Sequence, residues 1–474
     1  MRDRRGRSLR TAHGRGGTSP RARWRARGAR RARYVRALGS GGICVRGRRR
    51  LIDTTTPAER AYLVGLDLPR AGFDAEDSLD ELASLVEAAG GSVVGRMLQL
   101  RRAPDPNSWV GKGKAGEIGR EVARLRADLV VSDDELKPRQ QRALEEIVGA
   151  AVVDRSGVIL DIFARHARSR EGRIQVELAQ LEYRLPRLTG RGKEMSRLGG
   201  GIGTRGPGEQ KLESDRQIIR KRIQDLRAKL GEVARQRERA RGSRASEGLF
   251  LASLVGYTNT GKSTLLNALA SADVFVADQP FATLDPTTRR TALNGGVHIL
   301  VSDTVGFVNK LPPTLVAAFR ATLEELTDAD LLVHVADVAH PNLHERMRVV
   351  DQTLKTLGLE HRPRLLVLNQ ADRLRGDEGR ALREALAAEF PAAVFVSALR
   401  GEGLEVLRAR LAAAAVAGWR RIDATLPYQA GALVQRIRTR GSLKRADYEE
   451  AGIRIEADVP AELAAEIETA IRRR

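Results

Sequence analysis

The chain has one cysteine, Cys44, among its 474 residues. Intrachain disulfide bonds are therefore excluded, and a reducing compartment, the cytoplasm, is expected, with loose membrane association at most. Long apolar runs are missing as well: the longest, Leu411 to Trp419, has the composition of a short Ala-rich helix end, so no membrane span is predicted. Acidic residues are scarce in residues 1–50, which carry 18 arginines and a single acid, Asp3.

The net charge of +22 is unevenly distributed along the chain. Residues 165–247 carry 22 Lys and Arg against 11 Asp and Glu, which leaves the rest of the chain beyond residue 50 net negative. A mildly acidic body with two basic segments indicates a polyanionic partner, and nucleic acid fits best. Residues 1–55 are predicted to be a disordered extension: a transit peptide, a non-specific RNA contact or, as we favour, an extension of little function.

A phosphate-binding pattern, G-x-x-x-x-G-K-[ST], follows the apolar run Leu249–Val255 and precedes a helical pattern over Leu265–Ala270. A loop between a strand and a helix points backbone N–H groups and the positive helix end at a polyphosphate. Agreement of strand, loop and helix disfavours the alternative, a glycine-rich turn that binds nothing. The loop consists of Gly256, Tyr257, Thr258, Asn259, Thr260, Gly261, Lys262, Ser263 and Thr264.

Further polar motifs follow predicted strands in residues 248–417. Because open α/β sheets bind ligands at the carboxyl ends of their strands, we predict one nucleotide site there. The predicted strands are Val297–Ser302, Leu331–Ala336, Leu365–Leu368 and Val394–Val396. The motifs are Asp303-Thr304-Val305-Gly306, Asn369-Gln370-Ala371-Asp372 and Ser397-Ala398-Leu399, and the irregular segment before them contains Phe281, Ala282, Thr283, Leu284 and Asp285.

The phosphate end of this site suits hydrolysis of a triphosphate, which needs charge neutralisation and positioning. Lys262 would reach the β- and γ-phosphates, and Gly306 would offer its N–H to the γ-phosphate; we take these two as catalytic. Ser263 and Thr283 are the candidate Mg²⁺ ligands, and Asp303 would steady the metal through a water. Loops held by the γ-phosphate are released after hydrolysis. The alternatives to Thr283 are Thr287 and Thr288.

The base end suits guanine. Asn369 and Asp372 would read the base, because a carboxylate that accepts two guanine N–H groups rejects adenine. Ser397 and Ala398 would add backbone contacts to the guanine oxygen. Taken singly these signals are weak, and Asp303 and Asp372 could each be a strand-end cap. Four motifs in order on one sheet argue against chance.

Residues 56–156 alternate predicted strands and helices, which favours a small parallel α/β domain. In this domain Gly111-Lys112-Gly113-Lys114 is predicted to be a solvated loop, with a phosphate contact as the alternative. The predicted strands are Tyr62–Leu68, Ser92–Leu100, Asp128–Ser132 and Ala151–Asp154, and the predicted helices are Ser78–Ala89, Ala115–Arg126 and Arg139–Val148.

Residues 157–247 change to a helical period with two apolar stripes, which predicts a helical hairpin. Its linker, Thr189 to Glu209, contains eight glycines and is longer than a turn between two helices needs. We favour a nucleic-acid-contacting tip over a passive connector, because glycine lets a backbone approach a phosphate chain closely. The candidate RNA-contacting residues lie between 190 and 209: Arg191, Lys193, Arg197, Gly200, Gly201, Gly203 and Arg205.

The fold class is thus α/β and multidomain: an N-terminal α/β domain, a helical hairpin, a P-loop domain with a mostly parallel sheet, and a small α+β module over residues 418–474. Several motifs resemble the HflX family of translation-factor-class GTPases, in the Obg–HflX group. The resemblance covers roughly residues 60–470. The motifs that carry it are Asp154 to Phe163, Gln175 to Leu181, Gly199 to Glu209, Phe281 to Asp285 and Asp303 to Phe307.

The resemblance implies a GTPase that uses Mg²⁺ and converts GTP to GDP and phosphate. It also implies binding to the large ribosomal subunit and its rRNA, a tip extended toward the peptidyl-transferase region, and splitting of stalled or idle ribosomes, notably under heat stress. Some family members also use ATP. We expect a monomer.

Two departures from the family pattern matter. Phe307 stands where many GTPases have a water-orienting glutamine, so we expect slow intrinsic hydrolysis and a partner or another group that completes the site. Gln370 replaces the usual lysine, which makes guanine preference less strict. An RNA- or ribosome-binding module that uses nucleotide only as a conformational ligand is the alternative function. A small-molecule kinase is disfavoured, because nothing resembles a phosphoryl-acceptor site.

Overall fold

The computed structural model describes residues 58–69, 74–188, 207–247, 249–270, 280–281, 287–293, 296–310 and 326–472. The Arg-rich extension, the seven candidate tip residues between 191 and 205, and residues 282–285 with the candidate ligand Thr283 lie outside the described residues. No helix in the described ranges is both long and apolar enough to cross a membrane.

Parallel strands form the N-terminal sheet, in the order β2-β1-β3-β4. The central strand β1 is buried along nearly its whole length, as expected for a sheet covered on both faces. Helices α1 and α4 pack in the core on one face, and α2 and α3 in the core on the other. The strands are β1 (Arg60–Asp67), β2 (Ser92–Leu100), β3 (Leu129–Ser132) and β4 (Ala151–Asp154); the helices are α1 (Ala75–Ala88), α2 (Lys112–Leu125), α3 (Pro138–Val148) and α4 (Arg155–His166).

The start of α2 corrects one prediction. The solvated loop expected at residues 111–114 is wrong, because Gly111 is the extended N-cap and Lys112 is the first helical residue. Lys114 then pairs with Glu117 one turn later, at 2.8 Å. Three glycines make this helix a poor one by propensity, so the burial of Ala115, Ile118 and Val122 in the core accounts for the outcome.

The hairpin consists of α5 (Arg170–Arg184), a 3₁₀ turn (Leu185–Leu188) and α6 (Pro207–Glu247). The two predicted apolar stripes pack on each other, with Ile174 and Leu178 of α5 and Leu226 of α6 buried. Helix α4 does not belong to this hairpin, because its apolar side chains lie in the N-terminal core. We therefore propose a domain boundary near His166, later than the boundary before Gly157 that the sequence suggested.

The third unit is a six-stranded sheet in the order β10-β9-β8-β5-β7-β6, parallel except for β6. The sequence did not predict β6, because its polar residues Thr-Thr-Arg-Arg-Thr-Ala lack apolar alternation, and it lies at the sheet edge. The strands are β5 (Leu251–Val255), β6 (Thr287–Ala292), β7 (His298–Asp303), β8 (Leu331–Asp337), β9 (Arg364–Asn369) and β10 (Val394–Phe395); the helices are α7 (Lys262–Ala270), α8 (Leu343–Thr356), α9 (Gly376–Glu389) and α10 (Leu404–Val416).

The C-terminal module is an antiparallel sheet, in the order β11-β13-β12, with two helices. Its elements are β11 (Trp419–Leu426), α11 (Gly431–Arg440), β12 (Ser442–Glu449), β13 (Gly452–Pro460) and α12 (Ala461–Arg472). The sequence predicted a small α+β module over residues 418–474, without the bounds of its elements. Charged residues interrupt the apolar pattern of the outer strands, and some of them form cross-strand ion pairs, such as Lys444 with Asp458 at 2.7 Å.

Candidate nucleotide site

The phosphate loop joins β5 to α7, as the sequence predicts, and its lysine is buried. The Nζ of Lys262, a residue 7% exposed, donates to the carbonyl oxygens of Gly256 at 3.2 Å and Tyr257 at 2.7 Å. Burial lowers the pKa of Lys262 to about 8, and the nearby Asp303 carboxylate opposes that shift. A bound phosphate would supply the negative charge that this buried amine lacks.

Two close approaches in the site require glycine. Gly261 has a φ of +83°, and a Cβ there would lie 2.5 Å from Nδ2 of Asn369. A Cβ on Gly306 would lie 3.0 Å from the Lys262 Nζ and 2.9 Å from Cγ2 of Thr258. The segment after β7 therefore lies directly against the phosphate loop, and the two candidate catalytic residues, Lys262 and Gly306, meet.

The hydroxyl of Ser263 and the carboxylate of Asp303 also come together, since Oγ donates to Oδ2 at 2.5 Å. Hydroxyl and carboxylate oxygens are the hard ligands that Mg²⁺ prefers, so the residues present fit this ion. In the described part of the chain no group of three His, Cys, Asp or Glu side chains could hold a metal. Thr287, an alternative to Thr283, starts β6 opposite Asp303.

The base-end motifs meet at the same sheet edge. Asn369 donates through Nδ2 to the Thr260 carbonyl at 2.8 Å and accepts through Oδ1 from the Ala398 N–H at 3.0 Å. The Ser397 hydroxyl donates to Oδ1 of Asp372 at 2.7 Å, which fixes that carboxylate. Leu399 is 81% exposed. The structure thus joins both predicted base-end motifs to the phosphate loop.

The side chain of Phe307 is buried in a hydrophobic core, and its backbone forms hydrogen bonds with the phosphate loop. Its N–H donates to the Gly256 carbonyl at 3.1 Å, and its carbonyl accepts from the Thr258 N–H at 2.8 Å. The ring is 2% exposed and packs with Tyr257 and Leu332. A buried hydrocarbon ring cannot orient a water at a phosphate, so this position does not do what the glutamine of other GTPases does.

Comparison with known proteins identifies the family. Residues 76–164, 166–244 and 252–370 match family models described as "GTP-binding GTPase N-terminal", "GTP-binding GTPase Middle Region" and "50S ribosome-binding GTPase". The chain is 45% identical over 417 residues to GTPase HflX of Lacrimispora saccharolytica, covering 88% of this chain and 97% of that protein. The chain belongs to the HflX family.

A second relative agrees with the HflX assignment. GTPase HflX of Caldanaerobacter subterraneus subsp. tengcongensis is 42% identical over 405 residues, which cover 85% of this chain and 92% of that protein. A crystal structure of SsGBP in complex with GDP is 27% identical and covers 76% of this chain and 99% of that chain, with a TM-score of 0.43. As an HflX-family protein with a P-loop domain, the chain is a GTPase that hydrolyses GTP.

In this HflX chain the N-terminal domain reaches the nucleotide loops through a buried arginine that sequence reasoning missed. Arg155, 1% exposed, pairs with Glu81 and Asp133, both at 2.6 Å, and donates through Nη1 to the Asn309 carbonyl at 3.2 Å. Lys310, the next residue, pairs with Asp133 and with the neighbouring carboxylate, Asp134. No local signal reveals such contacts, because Arg155 and Asn309 lie 154 positions apart.

Tyr257 joins the phosphate loop to the same network. Its hydroxyl accepts from the Asn309 N–H at 2.6 Å, and Arg346 lies over its ring at 4.7 Å. Burial raises the pKa of Tyr257 far above its usual value, and the Glu81 carboxylate raises it further. The tyrosine therefore stays neutral, and its hydroxyl links the phosphate loop to Asn309 by a hydrogen bond.

The only described residue of the motif over residues 281–285, Phe281, also contacts the N-terminal domain. Its ring lies edge-on to Phe163 of α4, with centroids 4.6 Å apart. Val305 and Val308, beyond β7, are buried in the same core. Segments before and after the nucleotide site thus pack on the N-terminal domain.

A basic groove lies between the start of α5 and α6. It has a volume of about 450 Å³. Glu177, the acidic residue of its lining, forms a two-bond pair with Arg222 at 2.7 and 2.9 Å, and the lining carries four further cations. The lining residues are Arg168, Arg170, Arg173, Ile174, Glu177, Arg222, Leu226 and Lys229.

Proposed function

We propose that the chain is a GTP-driven, ribosome-associated factor that binds the large ribosomal subunit and splits stalled or idle ribosomes, notably under heat stress. The observation that carries this proposal is the basic groove on the hairpin of a chain that is also a GTPase. The description "50S ribosome-binding GTPase" of the family model over residues 252–370 supports it. The factor acts in the cytoplasm as a monomer.

At the nucleotide site, Lys262 contacts the β- and γ-phosphates and Gly306 donates its N–H to the γ-phosphate. A Cβ at position 306 would lie 3.0 Å from the Lys262 Nζ, and this close approach of the Gly306 backbone to the lysine supports both roles. Asn369 and Asp372 bind the guanine edge, and the Ser397 hydroxyl holds the carboxylate in place for that contact.

Mg²⁺ fits the phosphate end of the site. Ser263 and Thr283 hold it directly, and Asp303 holds it through a water, a role that the 2.5 Å contact between Ser263 and Asp303 supports. When bound, the ion neutralises negative charge on the phosphate oxygens.

The hairpin is the RNA-binding arm. The groove cations Arg168, Arg170, Arg173 and Lys229 contact rRNA phosphates, and the glycine-rich tip beyond α5 extends the contact. Three of these cations, Arg170, Arg173 and Lys229, have no described carboxylate within 4.0 Å. Uncompensated cations around one groove favour a polyanion, and binding releases counterions, so affinity falls with salt.

The nucleotide state reaches this arm through the N-terminal domain. Asn309 accepts from Arg155 of α4, and the neighbouring Asp154 accepts from Tyr183 at 2.7 Å and from Arg187 at 2.7 Å, at the end of α5. A loop that moves with the γ-phosphate thus contacts residues adjoining the hairpin.

Ribosome splitting followed by light scattering tests the proposal. With GTP, the wild-type chain splits 70S ribosomes, whereas Lys229→Glu weakens subunit binding and makes the fall of affinity with salt concentration shallower, because fewer counterions are released. The matched control, Lys221→Glu, changes an exposed lysine of the same helix that lies outside the groove, and it leaves binding near the wild-type value. Equal behaviour of the two variants, or no splitting by the wild type, contradicts the proposal.

A deletion separates this function from the RNA-binding alternative. Removing residues 191–208 abolishes splitting and leaves GTP hydrolysis nearly intact if the tip is the splitting element. Full splitting activity in a variant that binds GTP but cannot hydrolyse it would instead favour a module that uses nucleotide only as a conformational ligand.

A further inference from the structure

Gln370 occupies an unusual place in the base-end loop. It follows Asn369 at the end of β9 and has a left-handed backbone, with φ of +64°. Its Nε2 donates to the Asn259 carbonyl at 3.0 Å, while Asn369 donates to the next carbonyl, that of Thr260, at 2.8 Å. Two successive side chains of the base-end loop thus bind two successive carbonyls of the phosphate loop.

The Gln370 amide can donate to the Asn259 carbonyl in only one of its two orientations. A lysine ammonium is a donor in every direction, but a glutamine amide has a donor side and an acceptor side. Rotated by half a turn, the Gln370 amide would set its oxygen against the Asn259 carbonyl oxygen, and the two would repel. A second contact is therefore needed to hold the Gln370 amide in its donating orientation.

Arg373 supplies that constraint. A 3₁₀ turn over Ala371–Arg373 begins directly after Gln370. Side chains three residues apart eclipse in such a turn, which sets Arg373 beside Gln370. The Nη1 of Arg373 donates to Oε1 of Gln370 at 2.8 Å, so the amide oxygen faces the guanidinium and its NH₂ group faces Asn259.

The arginine is itself anchored to the sheet. Its Nη1 lies 3.3 Å from Oδ2 of Asp337, the last residue of β8 and 7% exposed. Asp337 also accepts from the Ala339 N–H at 3.0 Å and pairs with Asn369 in the sheet register. A chain of contacts thus runs from the end of β8 through Arg373 and Gln370 to the phosphate loop.

We propose that Arg373 is a positioning residue for guanine-nucleotide binding. It fixes the Gln370 amide and so restores the link between base-end loop and phosphate loop that a lysine at this position makes without help. The inference rests on the proposed role of Asn369 and Asp372 in binding guanine.

A double-mutant cycle on the full chain tests this assignment, with GDP affinity and dissociation rate as readouts. Arg373→Met weakens GDP binding by about threefold to tenfold, the size of one lost hydrogen bond, mainly through faster release. Gln370→Lys supplies the second background of the cycle, in which each loss is measured against the GDP affinity of that single variant. In the Gln370→Lys background the Arg373→Met change costs nothing, because lysine needs no orientation. Arg380→Met, an exposed arginine of α9, is the matched control and changes nothing.

Two measurements separate a positioning role from a structural one. Arg373→Met lowers the ratio of GDP to ADP affinity, and the lysine variant rescues it, while the melting temperature of the nucleotide-free chain stays near that of the Arg380→Met control. An equal loss in both backgrounds, or no loss in either, overturns the assignment. Failure of the wild-type chain to bind GDP would instead overturn the proposed base-binding role.

Discussion

The buried lysine of the phosphate loop predicts that nucleotide binding takes up a proton in alkaline solution. Burial lowers the pKa of Lys262 to about 8 in the free chain, below the ordinary value for lysine. Phosphates next to the amine favour its charged form and raise its pKa in the complex. The free chain therefore loses the proton as pH rises past 8, and the complex keeps it.

The magnitude follows from the pKa. About nine tenths of the free chain carries this proton at pH 7 and about one tenth at pH 9, so GDP affinity falls about tenfold between them, or about 1.4 kcal/mol. The sign is fixed by the depressed pKa of the free state: affinity is full below pH 8 and declines above it.

Calorimetry of GDP binding in two buffers of different ionisation enthalpy measures the uptake. We expect nearly one proton per GDP at pH 9 and almost none at pH 7. Lys262→Arg keeps its charge at both pH values, so its uptake reflects only other groups, including the guanine ring. Equal uptake by wild type and Lys262→Arg at pH 9 would refute the burial argument.

Three further predictions concern buried or tightly packed positions. Phe307→Gln lowers the free energy of unfolding by about 3 kcal/mol and does not speed single-turnover GTP hydrolysis, because position 307 faces a core; faster hydrolysis would contradict this. His334 is 3% exposed and burial lowers its pKa to about 4, so the stability it contributes is complete above pH 6.5 and is lost as pH falls toward 4. Urea unfolding at pH 7 and 4.5 should show an acid loss about 2 kcal/mol smaller in His334→Gln than in the wild type. Gly261→Ala places a Cβ 2.5 Å from Asn369 and weakens GDP binding about tenfold or more in titrations; unchanged affinity would sink the close-approach argument.

Much of the nucleotide domain could be predicted from the sequence, because its signals are local. Strands β5, β7, β8 and β9 are short apolar runs, and β5, β7 and β9 are each followed directly by a polar motif. The phosphate loop shows a fixed spacing of glycine, lysine and serine. Parallel strands then bring these motifs to one edge without any further information.

The interfaces could not be predicted, because they join residues far apart in the chain. Arg155 and Asn309 meet only after two domains have folded, and nothing near either residue announces the other. Edge strand β6 was not predicted, because its polar residues lack an apolar face. The role of Arg373 could not be predicted for another reason. The sequence shows that position 370 lacks the usual lysine, but Arg373 lies beside Gln370 only because of the 3₁₀ turn over Ala371–Arg373.

We propose that this GTPase has an incomplete catalytic site that its proposed partner, the ribosome, completes, since Phe307 is buried and cannot orient the attacking water. GTP turnover measured with and without purified large ribosomal subunits tests it most directly. We expect slow turnover by the chain alone and a clear acceleration by the subunits. Equal turnover under both conditions would contradict it.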